Sequence, residues 1–201
     1  HSDLRRQRQM CIRDRFLIFN LIFVSTAQAE ATFNDINGDG TGFDVSAQDD
    51  KTRGIAFNND GTIMYYIGNT DNEIYVYTLS TGFDLTTATF NDINGDGTGF
   101  DVSAQDDKTR GIAFNNDGTI MYYIGNTDNE IYVYTLSTGF DLTTATFNDI
   151  NGDGSGFDIS GQEAVPRGLT FNNDGTKMFV VGDNAVSYTH LRAHETEAYL
   201  V

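Results

Sequence analysis

An identical internal repeat is the feature that most constrains this chain. Residues 31–87 and 88–144 carry the same string at an offset of 57 residues, and a divergent third copy begins at Ala145. Internal periods of about 20–50 residues are typical of stacked units, each of which buries its apolar face against a neighbour. The chain is therefore expected to fold as a row of like units, over 31–87, 88–144 and an incomplete 145–185.

The third copy shows which positions tolerate change. It keeps apolar residues where the first copy has Val45, Ile55, Tyr65 and Ile67, and its residues there are Ile159, Leu169, Phe179 and Val181. Apolar character that survives divergence indicates that these positions are buried.

Each unit reads as short strands separated by turns. The run GIAF at 54–57 is followed by Asn58–Gly61, and an Asp-Gly pair between apolar runs is a strong hairpin signal. The segments TIMYYI at 62–67 and EIYVYTL at 73–79 form the next strands. A fourth, outer strand is predicted at Ala88–Phe90 or within Phe43–Ala47.

The strand EIYVYTL is apolar on both faces, with Ile74 and Val76 on one and Tyr75, Tyr77 and Leu79 on the other. Strands covered on both faces lose the alternation of half-exposed sheets, and stacked propeller blades are covered in this way. A β-solenoid has far shorter coils, and no segment has the apolar spacing of helical repeats. The predicted fold class is all-β, a β-propeller fragment of tandem four-stranded antiparallel blades. The predicted core positions are Phe57, Met64, Ile74 and Val76, and blade packing is favoured over a carbohydrate platform for Tyr65, Tyr66, Tyr75 and Tyr77.

These strands carry a family resemblance. The stretches 54–82, 111–139 and 168–184, with FNNDGTIMYYIGNTDNEIYVYTLSTG in the first, resemble the YVTN family of β-propeller repeats, which is related to lactonase-like propellers. The resemblance implies radial blades and, often, a secreted or surface location. The unit departs from the family between Thr32 and Arg53, where an acidic, glycine-rich loop lengthens it.

That loop, DINGDGTGFD, is a candidate calcium site. Oxygen-bearing side chains at alternating positions before a glycine match the start of a calcium loop, although the closing Glu of an EF-hand is replaced by Ser46. The alternative is an acidic turn that uses Asp, Asn and Gly for backbone reasons alone. The predicted ligands in the three copies are Asp35, Asn37, Asp39, Asp44; Asp92, Asn94, Asp96, Asp101; and Asp149, Asn151, Asp153, Asp158.

Charge and composition narrow the function. A net charge of −17 argues against nucleic acid and anionic membranes as partners. Between residues 16 and 185 there is neither His nor Cys, which excludes a catalytic His, a thiolate, a zinc site and a disulfide there. Because one residue set recurs in every unit, we expect a binding or structural module for a protein or glycan ligand, and no enzyme. The alternative is a hydrolytic, lactonase-like propeller whose active site lies in blades beyond this sequence.

The terminal segments are interpreted separately. Residues 1–15 and 186–201, with QMCIRD at 9–14 and VSYTHLRAHET at 186–196, match translated adaptors of short-read sequencing libraries. The alternative is a basic arm and a short amphipathic helix. The apolar run at 16–24 and the small residues that follow predict a signal peptide over 16–29, too short for a membrane span, and hence a secreted or cell-surface protein.

Overall fold

Antiparallel β-sheets make up nearly all of the regular structure in the computed structural model, which describes residues 35, 36 and 38–184 and the backbone of 189–192. These residues belong to one unit, Asp35–Val201. Within them only two short 3-10 helices, Leu85–Thr87 and Leu142–Thr144, interrupt the strands. No helix in this part is long and apolar enough to cross a membrane.

Three sheets follow one another along the chain. The first contains β1 (Thr52–Phe57), β2 (Ile63–Gly68), β3 (Glu73–Leu79) and β4 (Ala88–Asn91) in that order, with β5 (Phe100–Asp101) also paired to β3. The second contains β6 (Thr109–Phe114), β7 (Ile120–Gly125), β8 (Glu130–Leu136), β9 (Ala145–Phe147) and β10 (Phe157–Asp158). The third contains β11 (Pro166–Phe171), β12 (Lys177–Gly182) and β13 (Thr189–Arg192). The predicted all-β fold of antiparallel blades is confirmed, and the described sheets do not close into a ring.

The predicted hairpin turn after β1 is confirmed, and the side chains of Asn58 and Asp60 hold it. Gly61 donates its backbone N–H to the carbonyl of Asn58 at 3.1 Å and has a φ of +72°, which favours glycine. The Asn58 side chain accepts from the N–H of Ile63 at 2.9 Å, and the Asp60 carboxylate accepts from that of Thr62 at 3.0 Å. This chemistry recurs before β7 and β12, so the repeated Asn-Asn-Asp-Gly string fixes the register of each first hairpin.

The outer strand of a blade is split into two pieces. β4 pairs with the end of β3 at Val76–Leu79, whereas β5 pairs with its start at Glu73 and Ile74. The first piece confirms the strand predicted at Ala88–Phe90. The second, Phe100–Asp101, is the repeat equivalent of residues 43–44, whereas the candidate segment 43–47 itself forms no strand. The acidic loop at 92–99 lies between the two pieces, and 149–156 does so in the second sheet.

The core lies between successive sheets. Tyr65, Ile67, Ile74 and Val76 of the first sheet join Met121, Tyr123, Tyr132 and Tyr134 of the second in one buried cluster. The opposite face of the second sheet contributes Ile124 and Ile131 to a cluster with Met178 and Val180 of the third. The second sheet, which lies between the other two, is therefore covered on both faces, as the loss of apolar–polar alternation predicts.

The predicted core positions are buried, with one partial exception. Met64, Ile74 and Val76 have exposed fractions of 5% or less, whereas Phe57 is only partly buried and contacts Phe83 with ring centroids 5.4 Å apart. The four tyrosines are buried, and Tyr66 stacks on Tyr75 at 5.0 Å, so they serve packing and leave no platform for a carbohydrate. Burial also raises the pKa of Tyr65 and Tyr66 well above the ordinary value.

The first strands of the three sheets run side by side at glycines. A Cβ built on Gly54 would lie 2.9 Å from the Cα of Gly111, and one on Gly111 would lie 2.8 Å from the Cα of Gly168. Only glycine permits this backbone approach. β1, β6 and β11 thus have the place of the innermost strands, which surround the central channel in a closed propeller.

The terminal predictions fall mostly outside the described residues, as do 1–15 and the signal peptide over 16–29. Within 186–201 the backbone of Thr189–Arg192 pairs with Lys177–Val180 of β12. The adaptor origin of the two ends stays a prediction.

Candidate functional site

Two polar regions recur in the sheets, and the outer one contains the predicted calcium ligands. We call the segments 35–42, 92–99 and 149–156 the rim loops, because the latter two interrupt the outermost strands. The first carboxylate of each loop is bound by backbone N–H groups of its own turn. Asp92 accepts from Gly95 at 2.7 Å and from Gly97 at 2.9 Å, and both glycines have positive φ. Asp35 and Asp149 accept in the same manner.

The other predicted ligands are also engaged locally. Asp96 accepts from the hydroxyl of Thr98 at 2.6 Å and its N–H at 3.0 Å, while Asp101 accepts from the N–H of Ser103 at 2.8 Å. Hydrogen bonds from the hydroxyl and the backbone N–H of the Thr or Ser two positions on lower the pKa of Asp39, Asp96 and Asp153. Asp39, Asp44, Asp153 and Asp158 repeat these contacts.

The amides of Asn94 and Asn151 donate across their loops to Gly99 and Gly156. Asn37 lies outside the described residues. Within the described part, no three acidic, His or Cys side chains converge as a metal site would require. Calcium binding at the rim loops stays a prediction. A bound ion would have to draw the carboxylates away from the backbone N–H groups of their own turns.

The second region lies at the opposite edge, where three arginines occupy equivalent places. Arg53, Arg110 and Arg167 each fall at a register irregularity between the first and second strand of a sheet. Such bulges re-aim a side chain away from the ladder and are over-represented next to active sites. We call this region the inner edge. It consists of these arginines and the turn residues that follow each second strand, Asn69, Asn126 and Asp183.

Arg110 joins two blades. Its guanidinium donates from Nη1 to Asn69 of the first sheet at 2.9 Å and from Nη2 to Asn126 of its own sheet at 3.0 Å. The residue is 8% exposed, and its buried Nε has no partner within the described residues. Burial lowers the pKa of Arg110, and the nearby charges of Arg53 and Arg167 lower it further. The third arginine, Arg167, pairs with Asp183.

Three buried acidic residues lie next to the inner edge and bind its turns. Asp49, Asp106 and Glu163 are 3%, 3% and 2% exposed. Asp49 accepts from the backbone N–H groups of Lys51 at 2.5 Å, Thr70 at 2.9 Å and Asp71 at 3.3 Å, and so ties the entry to β1 to the turn after β2. Burial raises the pKa of Asp49, but these hydrogen bonds outweigh it and leave the pKa below its ordinary value.

Sequence reasoning missed both the buried acids and the arginines. The usable signal was the charged string before each first strand, DDKTRG in two copies and EAVPRG in the third, where an acid and an arginine persist at the same spacing.

Comparison with known proteins identifies the class. The model of the family described as lactonase, seven-bladed β-propeller, matches residues 43–200. The chain therefore belongs to the lactonase family of seven-bladed β-propellers, which confirms the resemblance drawn from its repeats.

Two solved structures are similar in fold. One, titled a nidogen/laminin complex, is 19% identical with a TM-score of 0.41, and the match covers 66% of this chain and 40% of that one. The other, a putative 6-phosphogluconolactonase from Bacteroides uniformis, is 14% identical with a TM-score of 0.43, over 71% of this chain and 39% of that one. The chain thus spans about two fifths of the length of these structures. None of the curated proteins compared matches it.

The family corrects one expectation. The repetition of one residue set predicted a protein without enzymatic activity, and that prediction is wrong, because the matching family is one of lactonases, a hydrolase class. The physical error lay in treating identical units as incapable of one asymmetric site. A channel collects one residue from every blade, and the third copy already differs there, with Asp183 in place of the asparagine at 126.

Proposed function

We propose that the inner edge binds a small molecule that carries a carboxylate or phosphate group. The observation that carries this is Arg110, a buried guanidinium with an unpartnered Nε and two neighbouring arginines. A guanidinium presents planar, bidentate donors that match carboxylate and phosphate oxygens.

The electrostatics favour an anion at this place. Three like charges on adjacent innermost strands repel one another, and the charges of Arg53 and Arg167, after burial, lower the pKa of Arg110. An anion between them would relieve that repulsion and supply an acceptor for the buried donor. Of the lysines and arginines within residues 38–184, all except Lys177 lie at or just before a first strand, so the cationic groups of this acidic chain are concentrated there.

Lactone hydrolysis is the second candidate, and the family match favours it. Hydrolysis of a lactone yields a hydroxy acid, whose carboxylate is a group that guanidiniums bind well. The two proposals share the inner edge, since an arginine that binds the acid would also stabilise negative charge that develops on the lactone oxygens.

The predicted signal peptide and the exposed rim loops support a role for this protein outside the cytoplasm. The predicted signal peptide over 16–29 supports secretion or display at the cell surface. The exposed rim loops could present a surface to a protein or glycan there, stabilised by calcium. Fusion of residues 16–29 to alkaline phosphatase, behind a supplied start codon, tests export; activity confined to the cytoplasm would argue against it.

The binding proposal is tested by titration calorimetry of the chain with gluconate and with inorganic phosphate. We expect at least one of these anions to bind to the wild type and Arg110→Met to bind it about 10–100-fold more weakly, the loss expected for a charge-assisted hydrogen bond. Lys177→Met removes an exposed charge away from the inner edge and should bind like the wild type. No heat with either anion, or equal affinity in Arg110→Met, would refute the proposal. Hydrolysis of glucono-δ-lactone, followed by acid release, tests the second candidate separately.

A further inference from the structure

The arginines of the inner edge do not all bind the same kind of partner. Arg110 joins two sheets, because it donates to Asn69 of the preceding sheet and to Asn126 of its own sheet. Arg167, one repeat later, has Asn126 in the preceding sheet and Asp183 in its own. Within the described part of the chain, Arg167 donates to Asp183 alone. The residue at 183 therefore changes which group its arginine binds.

The acid at 183 belongs to a matched set of replacements. In the second sheet the hydroxyl of Thr127 donates to the carboxylate of Asp107. The equivalent residues of the third copy are Asn184 and Ala164, which lack the hydroxyl and the carboxylate. One carboxylate is thus lost beside the threonine position, and one is gained beside the arginine at Asp183. The third copy therefore differs from the others in where its inner edge holds negative charge.

Asp183 is ionised at neutral pH and offsets the charge of Arg167. The hydrogen bond from Arg167 lowers the pKa of Asp183, and the charge of Arg110 lowers it further. An asparagine side chain accepts a hydrogen bond without carrying a charge, so Asn126 binds Arg110 and leaves its positive charge in place. The inner edge is charged unevenly, because Arg110 has two neutral partners and Arg167 has an anionic one.

We propose that Asp183 limits the charge of the ligand at the inner edge; this inference rests on the proposed function. A ligand with one negative charge, such as a monocarboxylate, pairs with Arg110. A second negative charge that extends toward the third sheet meets an arginine that is already paired, and it is repelled by the Asp183 carboxylate. Asp183 thus determines specificity by charge and disfavours doubly charged anions.

The exposure of this ion pair sets the size of the expected effect. The side chains of Arg167 and Asp183 are 42% and 53% exposed, so water and salt screen their charges. A carboxylate in such a place should weaken the binding of a second negative charge about fivefold. The quantity to measure is therefore the ratio of two affinities on one protein sample, in which differences in the amount of folded protein cancel.

Titration calorimetry of the full 201-residue chain with gluconate and with glucarate, at neutral pH and low salt, tests the proposal. Glucarate differs from gluconate in having a second carboxylate in place of the terminal hydroxymethyl group. The wild type should bind glucarate no more tightly than gluconate. Asp183→Asn should raise the affinity for glucarate relative to gluconate about fivefold. Asp183→Glu keeps the charge and should keep the ratio of the wild type.

Further variants and added salt separate a local charge from other effects. Asp153→Asn removes the same charge from an exposed rim loop and should leave the ratio unchanged. Asn126→Asp places a carboxylate beside Arg110 and should weaken the binding of both anions, glucarate more than gluconate. In about 1 M NaCl, where charges are screened within about 3 Å, the difference between Asp183→Asn and the wild type should largely disappear. Far-UV circular dichroism checks that each variant is folded.

The possible failures distinguish this proposal from the proposed function. If gluconate binds but the ratio is the same in Asp183→Asn and in the wild type, Asp183 does not select the ligand, although the inner edge still binds an anion. An equal shift in Asp153→Asn would overturn the proposal as well, because net charge alone would then explain the ratio. A wild type that binds phosphate and neither sugar acid would overturn the charge limit alone, whereas one that binds none of the three anions would refute both proposals.

Discussion

The rim loops and the inner edge are both polar, both repeated and both rich in charged residues, yet they are organised in opposite ways. At the rim, Asp92 and Asp96 accept hydrogen bonds from residues no more than five positions away and remain exposed. At the inner edge, Asp49 accepts from a residue 21 positions away and Arg110 donates to one 41 positions away, and both are buried.

The difference separates two uses of charge. The carboxylates of the rim loops shape their own turns through local hydrogen bonds, so replacing them disturbs little beyond the turn. The loops at 92–99 and 149–156 are joined to their blades at their last residues, where Gly99 and Gly156 donate to Glu73 and Glu130. Long-range hydrogen bonds from buried groups link sheet to sheet, and breaking them leaves a buried group unpaired. Changes at the inner edge should therefore cost stability, and changes at the rim should cost little unless a ligand is bound there.

The largest effect is expected from Gly111→Ala. The added methyl group would lie 2.8 Å from the Cα of Gly168 and 3.1 Å from the N of Leu169, and backbone atoms cannot yield as a side chain would. We expect the free energy of unfolding to fall by about 2–3 kcal/mol, measured by urea denaturation. Gly161→Ala, where no atom lies within 4 Å of the new Cβ, is the control. Equal stability of the two variants would show that the first strands are not in contact.

A smaller effect is expected from Asp49→Asn, and it should depend on pH. The carboxylate binds three backbone N–H groups and has a pKa lowered from 3.8, so its contribution is present above that pH and is lost as the pH falls through the lowered value. At neutral pH the variant should lose about 1–2 kcal/mol of unfolding free energy, and the difference from wild type should vanish well below pH 3.8.

The matched control for this prediction is Asp50→Asn. Asp50 is exposed and accepts from the hydroxyl of Thr70 at 2.5 Å, so its replacement should cost less at neutral pH. A cost for Asp49→Asn that does not change with pH would mean that the carboxylate charge is not what holds the turn.

The smallest effect is expected at the rim, and only with calcium. The ion at about ten times its Kd should raise the free energy of unfolding by about 1.4 kcal/mol for each occupied loop, with magnesium less effective because the loops offer a variable oxygen shell. The variant with Asp39, Asp96 and Asp153 changed to Ala should show no calcium-dependent gain. If the wild type shows neither a heat of calcium binding nor stabilisation by calcium, the loops are turns that bind no calcium.

The sequence alone predicts the features that depend on local chemistry. The Asn-Asn-Asp-Gly hairpin, the strands around it and the burial of Tyr75 and Val76 on opposite faces all follow from residue type and spacing. The split outer strand could not be found in this way, because Ala88–Asn91 and Phe100–Asp101 become one edge only through pairing with β3.

The inner edge escaped prediction for a related reason. Asp49 lies in a polar segment, and such a residue is normally assigned to solvent. Its burial is imposed by the turn at Thr70, which packs over it, and by Gly68, where a Cβ would lie 2.2 Å from its carboxylate. In the sequence, Arg110 cannot be told from a surface arginine, because its partner Asn69 lies in the preceding blade.

Hydrogen exchange of the backbone amides tests the central distinction most directly, by mass spectrometry at neutral pH. We predict that amides of Thr109–Phe114, between two sheets at the inner edge, exchange only by large-scale unfolding, while those of the rim-loop residues 92–98 exchange orders of magnitude faster. Gluconate or phosphate, whichever binds, should slow exchange near Arg110 and leave the rim unchanged. Similar exchange in the two regions without ligand would contradict the account, because it would mean that the inner edge is no more firmly joined to the blades than the rim.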